Sequence, residues 1–279
     1  MLTITERPTL LQVTRHAWHS LFQAVRQMAP LLLCGMVLLA GLIFVMEWLT
    51  DALGLMSDRA LRRAIRAGGN PGWPLILKTY GFATLEEALR AVIMAPVAVA
   101  IHRFILLGEV RRFYFFSPAT LRFAAWIFAL WMPVEILSWN GDLLSRKSTM
   151  AYVIFSVLQI GLTILWVAMM RLFPAIAVEE RQSSILERVE AALEHGKGMF
   201  WLSLTAVILA CLPPYLFRTL INMLPYAKTN PCRLFNFAIY SVSTIVLFAA
   251  IASILYGYAA NRAAAGPTLL QRLFPSRQQ

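Results

Sequence analysis

Six charged or amide side chains lie inside the long apolar runs of this sequence or at their ends, where such groups are costly and often functional. These residues are Glu47, Glu86, Arg90, Glu135, Gln159 and Arg218. Carboxylates and guanidinium groups surrounded by lipid can bind a solute, relay protons or neutralise one another as ion pairs. All except Gln159 fall within about two helical turns of the membrane surface, where long side chains reach the headgroups. The simpler interpretation is therefore ion pairing, and an outward-facing polar site for a substrate or proton is the alternative.

Gln159 differs from the others because it lies in the middle of an apolar run. Gly161 and Thr163 follow it, and Ser156 precedes it by one turn. Small and hydroxyl residues allow helices to approach closely, and amides form hydrogen bonds between helices. This pattern predicts a contact between helices at Gln159 more strongly than a ligand site.

Motifs for catalysis, phosphate binding and metal binding are missing from the sequence. There is no HExxH, GxSxG, Walker loop or GxGxxG pattern. His16 and His19 are three residues apart, but no cysteine or carboxylate ligand is near them in the sequence. The cysteines Cys34, Cys211 and Cys232 show neither metal spacing nor a disulfide framework. We therefore expect no enzymatic activity, no metal and no cofactor.

Six long apolar runs carry the polar residues described above. A bilayer core of about 30 Å is crossed by roughly 20 mostly apolar residues in a helix, and in lipid each helix satisfies its own backbone hydrogen bonds. The runs are Met28–Leu49, Ala88–Leu107, Leu121–Trp139, Met150–Met170, Met199–Leu220 and Leu234–Ala260. The sequence thus predicts an all-α transmembrane bundle with about six spans and two amphipathic interfacial helices.

The composition supports the membrane assignment and suggests the kind of surface that the protein contacts. The chain is 59% hydrophobic and 14% charged, with a mean hydropathy of +0.66, whereas soluble domains are about 25% charged. Its net charge of +11 would suggest nucleic acid in a soluble protein. In a membrane protein such charges favour anionic lipid headgroups, so we expect lipid partners and no nucleic acid.

We expect a single integral membrane domain over residues 1–279, with a surface helix inside residues 1–27. In that segment Leu11, Trp18 and Phe22 recur on one side at helical spacing, while polar residues fill the other. Residues 50–84 are the longest outer connection. Within it, Ser57 or Asp58 can cap a short helix.

A second surface helix is predicted inside residues 178–198, on the cytoplasmic side. Residues 184–195 alternate between apolar and charged faces, and Gly196 and Gly198 separate them from the next apolar run. Residues 263–279 form a short polar tail.

Counts of basic residues predict the orientation and the compartment. With both termini in the cytoplasm, the inner segments hold 14 Lys and Arg residues and the outer segments hold 10, which the positive-inside rule favours. Only four of the 25 basic residues are lysines. Because this bias is typical of GC-rich bacteria, we expect the bacterial inner membrane.

Several arginines are candidates for contact with lipid headgroups. Arg111 and Arg112 precede the aromatic run Phe113–Phe116, and aromatic residues beside arginines suit the boundary between headgroups and acyl chains. The full set of candidates is Arg15, Arg26, Arg103, Arg111 and Arg112.

Three short segments carry a resemblance to a known group of proteins. They are Ala17-Trp18, residues 102–109 (His-Arg-Phe-Ile-Leu-Leu-Gly-Glu) and residues 171–180. In these segments the chain resembles uncharacterised bacterial six-helix proteins similar to the membrane domain of some glycerophosphodiester phosphodiesterases. The resemblance implies a six-helix bundle. It implies no catalytic residue, because the soluble phosphodiesterase domain is missing from this sequence.

Three functions are compatible with these features. The leading hypothesis is an accessory or scaffold subunit of a membrane complex, with a protein partner or a second copy packed on helices that carry Trp126, Trp131 and Trp166. A transporter or channel for a small solute would instead use the helices interrupted by proline. A cavity that reaches Gln159, Glu135 or Arg90 would favour transport. The third hypothesis is lipid binding or lipid handling.

Overall fold

The computed structural model describes residues 8–67, 69, 71–144, 149–178, 185–224 and 230–265. Within these ranges the protein is all-α and contains no strand, which confirms the predicted fold class. The helices are α1 (Leu10–Ala52), α2 (Asp58–Arg66), α3 (Trp73–Leu107), α4 (Pro118–Leu144), α5 (Thr149–Ala168), α6 (Leu172–Ala177), α7 (Ile185–Met223) and α8 (Asn230–Ala265). One turn of 3-10 helix, Met169–Arg171, joins α5 to α6.

Five of the described helices are long and apolar enough to cross a membrane, and they confirm the membrane assignment. These are α1, α3, the part of α4 at Pro118–Leu137, the part of α7 at Met199–Met223, and the part of α8 at Pro231–Ala259. The sixth predicted run lies in α5, where the shorter stretch Val153–Ala168 is apolar.

Helix α8 is the centre of the bundle and packs against α1, α3 and α7. Its middle is buried on nearly every side, at Val246, Leu247 and residues 249–252. Three of these residues are alanines, and small side chains allow neighbouring helices to approach closely. Helix α5 is peripheral by contrast, and Val157 and Ile160 on it are exposed.

Helix α1 consists of two arms that meet at Met28. Met28 has non-helical backbone angles (φ −124°, ψ 24°), and Pro30 cannot donate a backbone hydrogen bond to the preceding turn. Glu47 pairs with Arg233, whereas Trp18 shares a cavity with Asn236, less than one turn further along α8. A straight helix would separate Trp18 from Glu47 by about 43 Å at 1.5 Å per residue. The chain therefore bends sharply at Met28. Residues 10–27, the first arm, turn toward α7 and α8 and do not continue the line of residues 29–52, the second arm.

The first arm packs into the bundle through one face, where Val13, Ala17 and Ala24 are buried. Thr9 begins it with a capping box, because its hydroxyl accepts from the Gln12 backbone N–H and the Gln12 side chain accepts from the Thr9 N–H. The predicted location of this segment in the membrane surface stays a prediction.

Other helix limits differ from those that the sequence predicts. Helix α7 continues through Gly196 and Gly198 without interruption, so residues 185–195 extend the fifth span and do not form a separate helix. Helix α3 begins at Trp73, well inside the segment 50–84 that we predicted as a connection. The short helix before it is confirmed, since the Ser57 hydroxyl accepts from the Ala60 N–H that begins α2.

Candidate functional site

Ion pairs surround the first turns of α8. The Arg233 guanidinium donates to both oxygens of Glu47 at 2.6 and 2.7 Å, which links α8 to the second arm of α1. On α3, Arg90 donates to Glu87 and to Glu86, both at 2.6 Å. These pairs follow helical spacing on α3, where residues three and four apart face each other.

The Phe237 ring on α8 lies near two arginines from different helices. The guanidinium carbon of Arg90 is 5.3 Å from the ring centroid, and that of Arg218 on α7 is 5.0 Å from it. Arg218 also lies 4.6 Å from the centroid of Tyr240. Aromatic faces attract cations, most strongly away from water. The two rings of α8 therefore hold the Arg218 side chain in place.

The two arginines differ in how their charge is compensated. Arg90 has two carboxylate partners, Glu86 and Glu87. Arg218 has no carboxylate within 4 Å in the ranges that the structure describes. Aromatic rings attract a cation but do not neutralise it, so Arg218 retains a positive charge that a bound anion can meet.

Asn236 connects α7 and α8 through its amide nitrogen. Its Nδ2 donates to the backbone carbonyl of Arg218 at 3.3 Å and to Oδ1 of Asn222 at 3.1 Å. Since a carbonyl oxygen can only accept, this contact fixes which side of the amide is the nitrogen. Asn236 is only 5% exposed, and its Oδ1 has no hydrogen-bond partner. A buried acceptor without a partner costs about 1–3 kcal/mol.

A cavity of about 370 Å³ opens beside these residues, between the first arm of α1, α7 and α8. Most of its surface is apolar. The lining residues are Trp18, Leu21, Pro213, Pro214, Phe217, Asn236, Ile239, Tyr240 and Ser243. Phe217 is 53% exposed and Pro213 is also exposed, so the cavity communicates with the surroundings of the bundle along α7.

The prolines of α7 add to the polar character of this region. Neither Pro213 nor Pro214 has a backbone N–H, so the carbonyls of residues 209 and 210 lack their usual helical donors. Helix α7 nevertheless continues across both prolines.

A second charge cluster lies at the opposite end of the α3 span. Arg103 donates from Nε and Nη2 to the two oxygens of Glu109, both at 2.8 Å, and from Nη1 to the carbonyl of Ala177 at 3.1 Å. Arg111 approaches the same carboxylate at 3.5 Å. The hydrogen bonds from Arg103 lower the pKa of Glu109 below its ordinary value. This cluster joins the end of α3 to the end of α6.

The structure brings four of the six predicted polar residues to the same end of the bundle, namely Glu47, Glu86, Arg90 and Arg218. Glu135 on α4 and Gln159 on α5 are half-buried, and neither lines the cavity. Of the candidates for headgroup contact, Arg15, Arg26 and Arg112 are exposed, whereas Arg103 and Arg111 are bound by Glu109.

Asn236, Phe237 and Tyr240 were not among the candidates predicted from the sequence. They lie in an apolar run whose aromatic residues suggested only burial or lipid contact. The amide of Asn236 was the signal that could have identified them, since a polar side chain in such a run is unusual.

No protein-family model, no curated protein and no solved structure matches this chain. The resemblance to the membrane domain of glycerophosphodiester phosphodiesterases therefore stays a prediction. Among the residues that the structure describes, no three His, Cys, Asp or Glu side chains come together as a metal site.

Proposed function

We propose that this protein handles lipid and holds the acyl chain of a membrane lipid in the cavity between the first arm of α1, α7 and α8. The observation that carries the proposal is the apolar lining of this cavity close to Arg218, which has no carboxylate partner among the described residues. Its volume of about 370 Å³ falls within the usual range of small-molecule sites, about 300–1,000 Å³. An amphipathic molecule matches such a pairing of apolar surface with positive charge.

The opening of the cavity supports access from the bilayer. Phe217 and its neighbours Tyr215 and Leu216 are about half exposed on α7, so the cavity opens on a helix that faces its surroundings. Each methylene group that leaves water contributes about 0.8 kcal/mol, but a lipid already in the bilayer gains little from that source. Retention in the cavity therefore depends on close packing and on headgroup contacts.

The cavity favours lipid handling over transport of a small solute. A transport path would need polar groups along it. None of the three residues that would indicate such a path, Arg90, Glu135 and Gln159, lines this cavity. The scaffold hypothesis depends on exposed apolar faces such as that of α5. Such faces contact ordinary bilayer lipid equally well, so they do not favour a protein partner.

Filling the cavity tests the proposal. Ser243→Phe places an aromatic ring in the cavity, and Ile160→Phe places the same ring on the exposed face of α5 as a control. After purification in mild detergent, native mass spectrometry measures lipid retained by each variant. We expect the wild-type protein and Ile160→Phe to retain one lipid and Ser243→Phe to lose it about tenfold.

A smaller substitution, Ser243→Leu, should give an intermediate loss, and thermal unfolding of each variant shows that the fold is retained. A wild-type protein that carries no lipid would overturn the proposal. Equal retention by Ser243→Phe and Ile160→Phe in folded protein would also overturn it.

A further inference from the structure

We infer that the cavity selects an anionic phospholipid whose headgroup carries a hydroxyl, with the phosphate at Arg218 and the hydroxyl donating to Asn236. This inference rests on the proposed function, because it names the class of lipid for the same cavity. Two independent features support it: within the described ranges, Arg218 has no carboxylate partner and the buried Oδ1 of Asn236 has no donor.

The phosphate assignment follows from the surroundings of Arg218. Its guanidinium lies over Phe237 and over Tyr240, and Tyr240 also lines the cavity. The planar guanidinium presents several N–H donors that match the oxygens of a phosphate. Arg218 therefore lies where a headgroup would be when the acyl chain fills the apolar part of the cavity.

The charge of the lipid follows from a comparison with Arg90 on the other side of Phe237. Arg90 already has two carboxylates and needs no further anion. Arg218 has none among the described residues, so a ligand with a net negative charge gains most there. A zwitterionic headgroup also brings a cation close to Arg218, and the repulsion between them reduces this gain.

The hydroxyl assignment follows from Asn236. Its Nδ2 is occupied by the carbonyl of Arg218 and by Asn222, which leaves Oδ1 buried and without a donor among the described residues. Asn236 itself lines the cavity. A ligand hydroxyl placed there removes the cost of that unpaired acceptor. Phosphatidylglycerol carries a phosphate and, beyond it, alcohol hydroxyls. Phosphatidic acid has no alcohol hydroxyl beyond its phosphate, and phosphatidylcholine offers no donor.

Competition between lipids tests the inference. The purified full-length protein is placed in nanodiscs that contain equal amounts of phosphatidylglycerol, phosphatidic acid, phosphatidylethanolamine and phosphatidylcholine, and native mass spectrometry counts the lipids that remain bound. We expect phosphatidylglycerol to exceed phosphatidylcholine about tenfold, because the net charge at Arg218 and the hydroxyl at Asn236 each contribute about threefold. It should exceed phosphatidic acid by about threefold because of the Asn236 contact alone.

Two variants assign these preferences to their residues. Arg218→Gln should reduce the tenfold preference for phosphatidylglycerol over phosphatidylcholine to about threefold, which is the part that the Asn236 contact contributes. Arg233→Gln is the matched control, since it removes an equal charge at the same end from an arginine that already has a carboxylate. Asn236→Leu should abolish the preference over phosphatidic acid and reduce the preference over phosphatidylcholine to about threefold, because neither of these two lipids makes the hydroxyl contact that the variant loses.

The outcomes separate this inference from the proposed function. Bound lipid without headgroup preference in the wild-type protein would overturn the inference and leave the proposed function standing, whereas a wild-type protein without bound lipid would overturn both. Equal losses in Arg218→Gln and Arg233→Gln would overturn the role of Arg218. Displacement of phosphatidylglycerol by millimolar inorganic phosphate would overturn the lipid assignment, because the ligand would then be a free anion.

Discussion

Two arginines at opposite ends of the bundle show how the same side chain can hold a fold together or remain available to a ligand. Arg103 donates to both oxygens of Glu109 and to a backbone carbonyl of α6, so its charge and donors are used within the protein. Arg218 is held by two aromatic rings of α8 and meets no carboxylate in the described ranges. Compensation of charge, more than depth in the bundle, distinguishes the structural arginine from the one that we propose binds a ligand.

Removal of the structural arginine should have the largest effect on stability. Arg103 is only 17% exposed, and Arg103→Ala removes the donor to the Ala177 carbonyl and leaves Glu109 with only the longer contact to Arg111. We expect the free energy of unfolding to fall by about 2–4 kcal/mol, measured by thermal or denaturant unfolding in detergent. Arg112→Ala removes an exposed arginine nearby and should change it by less than about 0.5 kcal/mol. Equal effects of the two variants would show that Arg103 does not join α3 to α6.

The same cluster should make stability depend on pH. Because Arg103 lowers the pKa of folded Glu109 below its ordinary value of 4.5, the ionised carboxylate stabilises the fold above that value. This contribution disappears as the pH falls from 4.5 through the lowered pKa. The melting temperature of the wild-type protein should exceed that of Glu109→Gln at pH 7, and the difference should shrink below pH 4.5. A difference that stays constant or widens on acidification would contradict the assignment.

Arg90 offers a way to turn a compensated arginine into one that resembles Arg218. The double substitution Glu86→Gln, Glu87→Gln removes both carboxylates and leaves Arg90 beside the Phe237 ring. Binding of anionic lipid at this end should rise by about twofold to fivefold, the range measured for exposed charge pairs. Native mass spectrometry of lipid retention measures the change. Unchanged binding in a folded double variant would show that loss of compensation alone does not create an anion site.

The smallest effect is expected at the exposed pair between Glu47 and Arg233. Their side chains are 41% and 48% exposed, so solvent screens the attraction. Glu47→Gln should alter the free energy of unfolding by less than about 0.5 kcal/mol, as measured by denaturant titration. A loss above about 1 kcal/mol would mean that this pair holds α1 to α8 as firmly as Arg103 holds α3 to α6.

The sequence predicts the helices better than it predicts the contacts between them. Apolar length identifies the helices that are long enough to cross a membrane. The positions of Glu47, Arg90 and Arg218 in these runs indicate charges at one end, and in the structure these residues lie around the first turns of α8. The pairing of Glu47 with Arg233 spans 186 residues, and no local pattern encodes such a contact.

The bend of α1 at Met28 could not be predicted from the sequence either. Pro30 alone is compatible with the first turn of an ordinary helix, and only packing of Val13 and Ala17 shows that the first arm joins the bundle. The cavity depends on this bend, because Trp18 and Leu21 of the first arm form one of its walls.

Mapping a photoreactive lipid on the protein tests the central claim most directly. A phosphatidylglycerol analogue with a diazirine in its acyl chain is crosslinked in nanodiscs, and the labelled residues are identified by mass spectrometry. The account predicts labelling concentrated at residues 213–217 and 239–243, reduced by excess unlabelled phosphatidylglycerol and by Ser243→Phe. Labelling spread evenly over the exposed faces of α5 and α7, unaffected by either change, would contradict a lipid site between α1, α7 and α8.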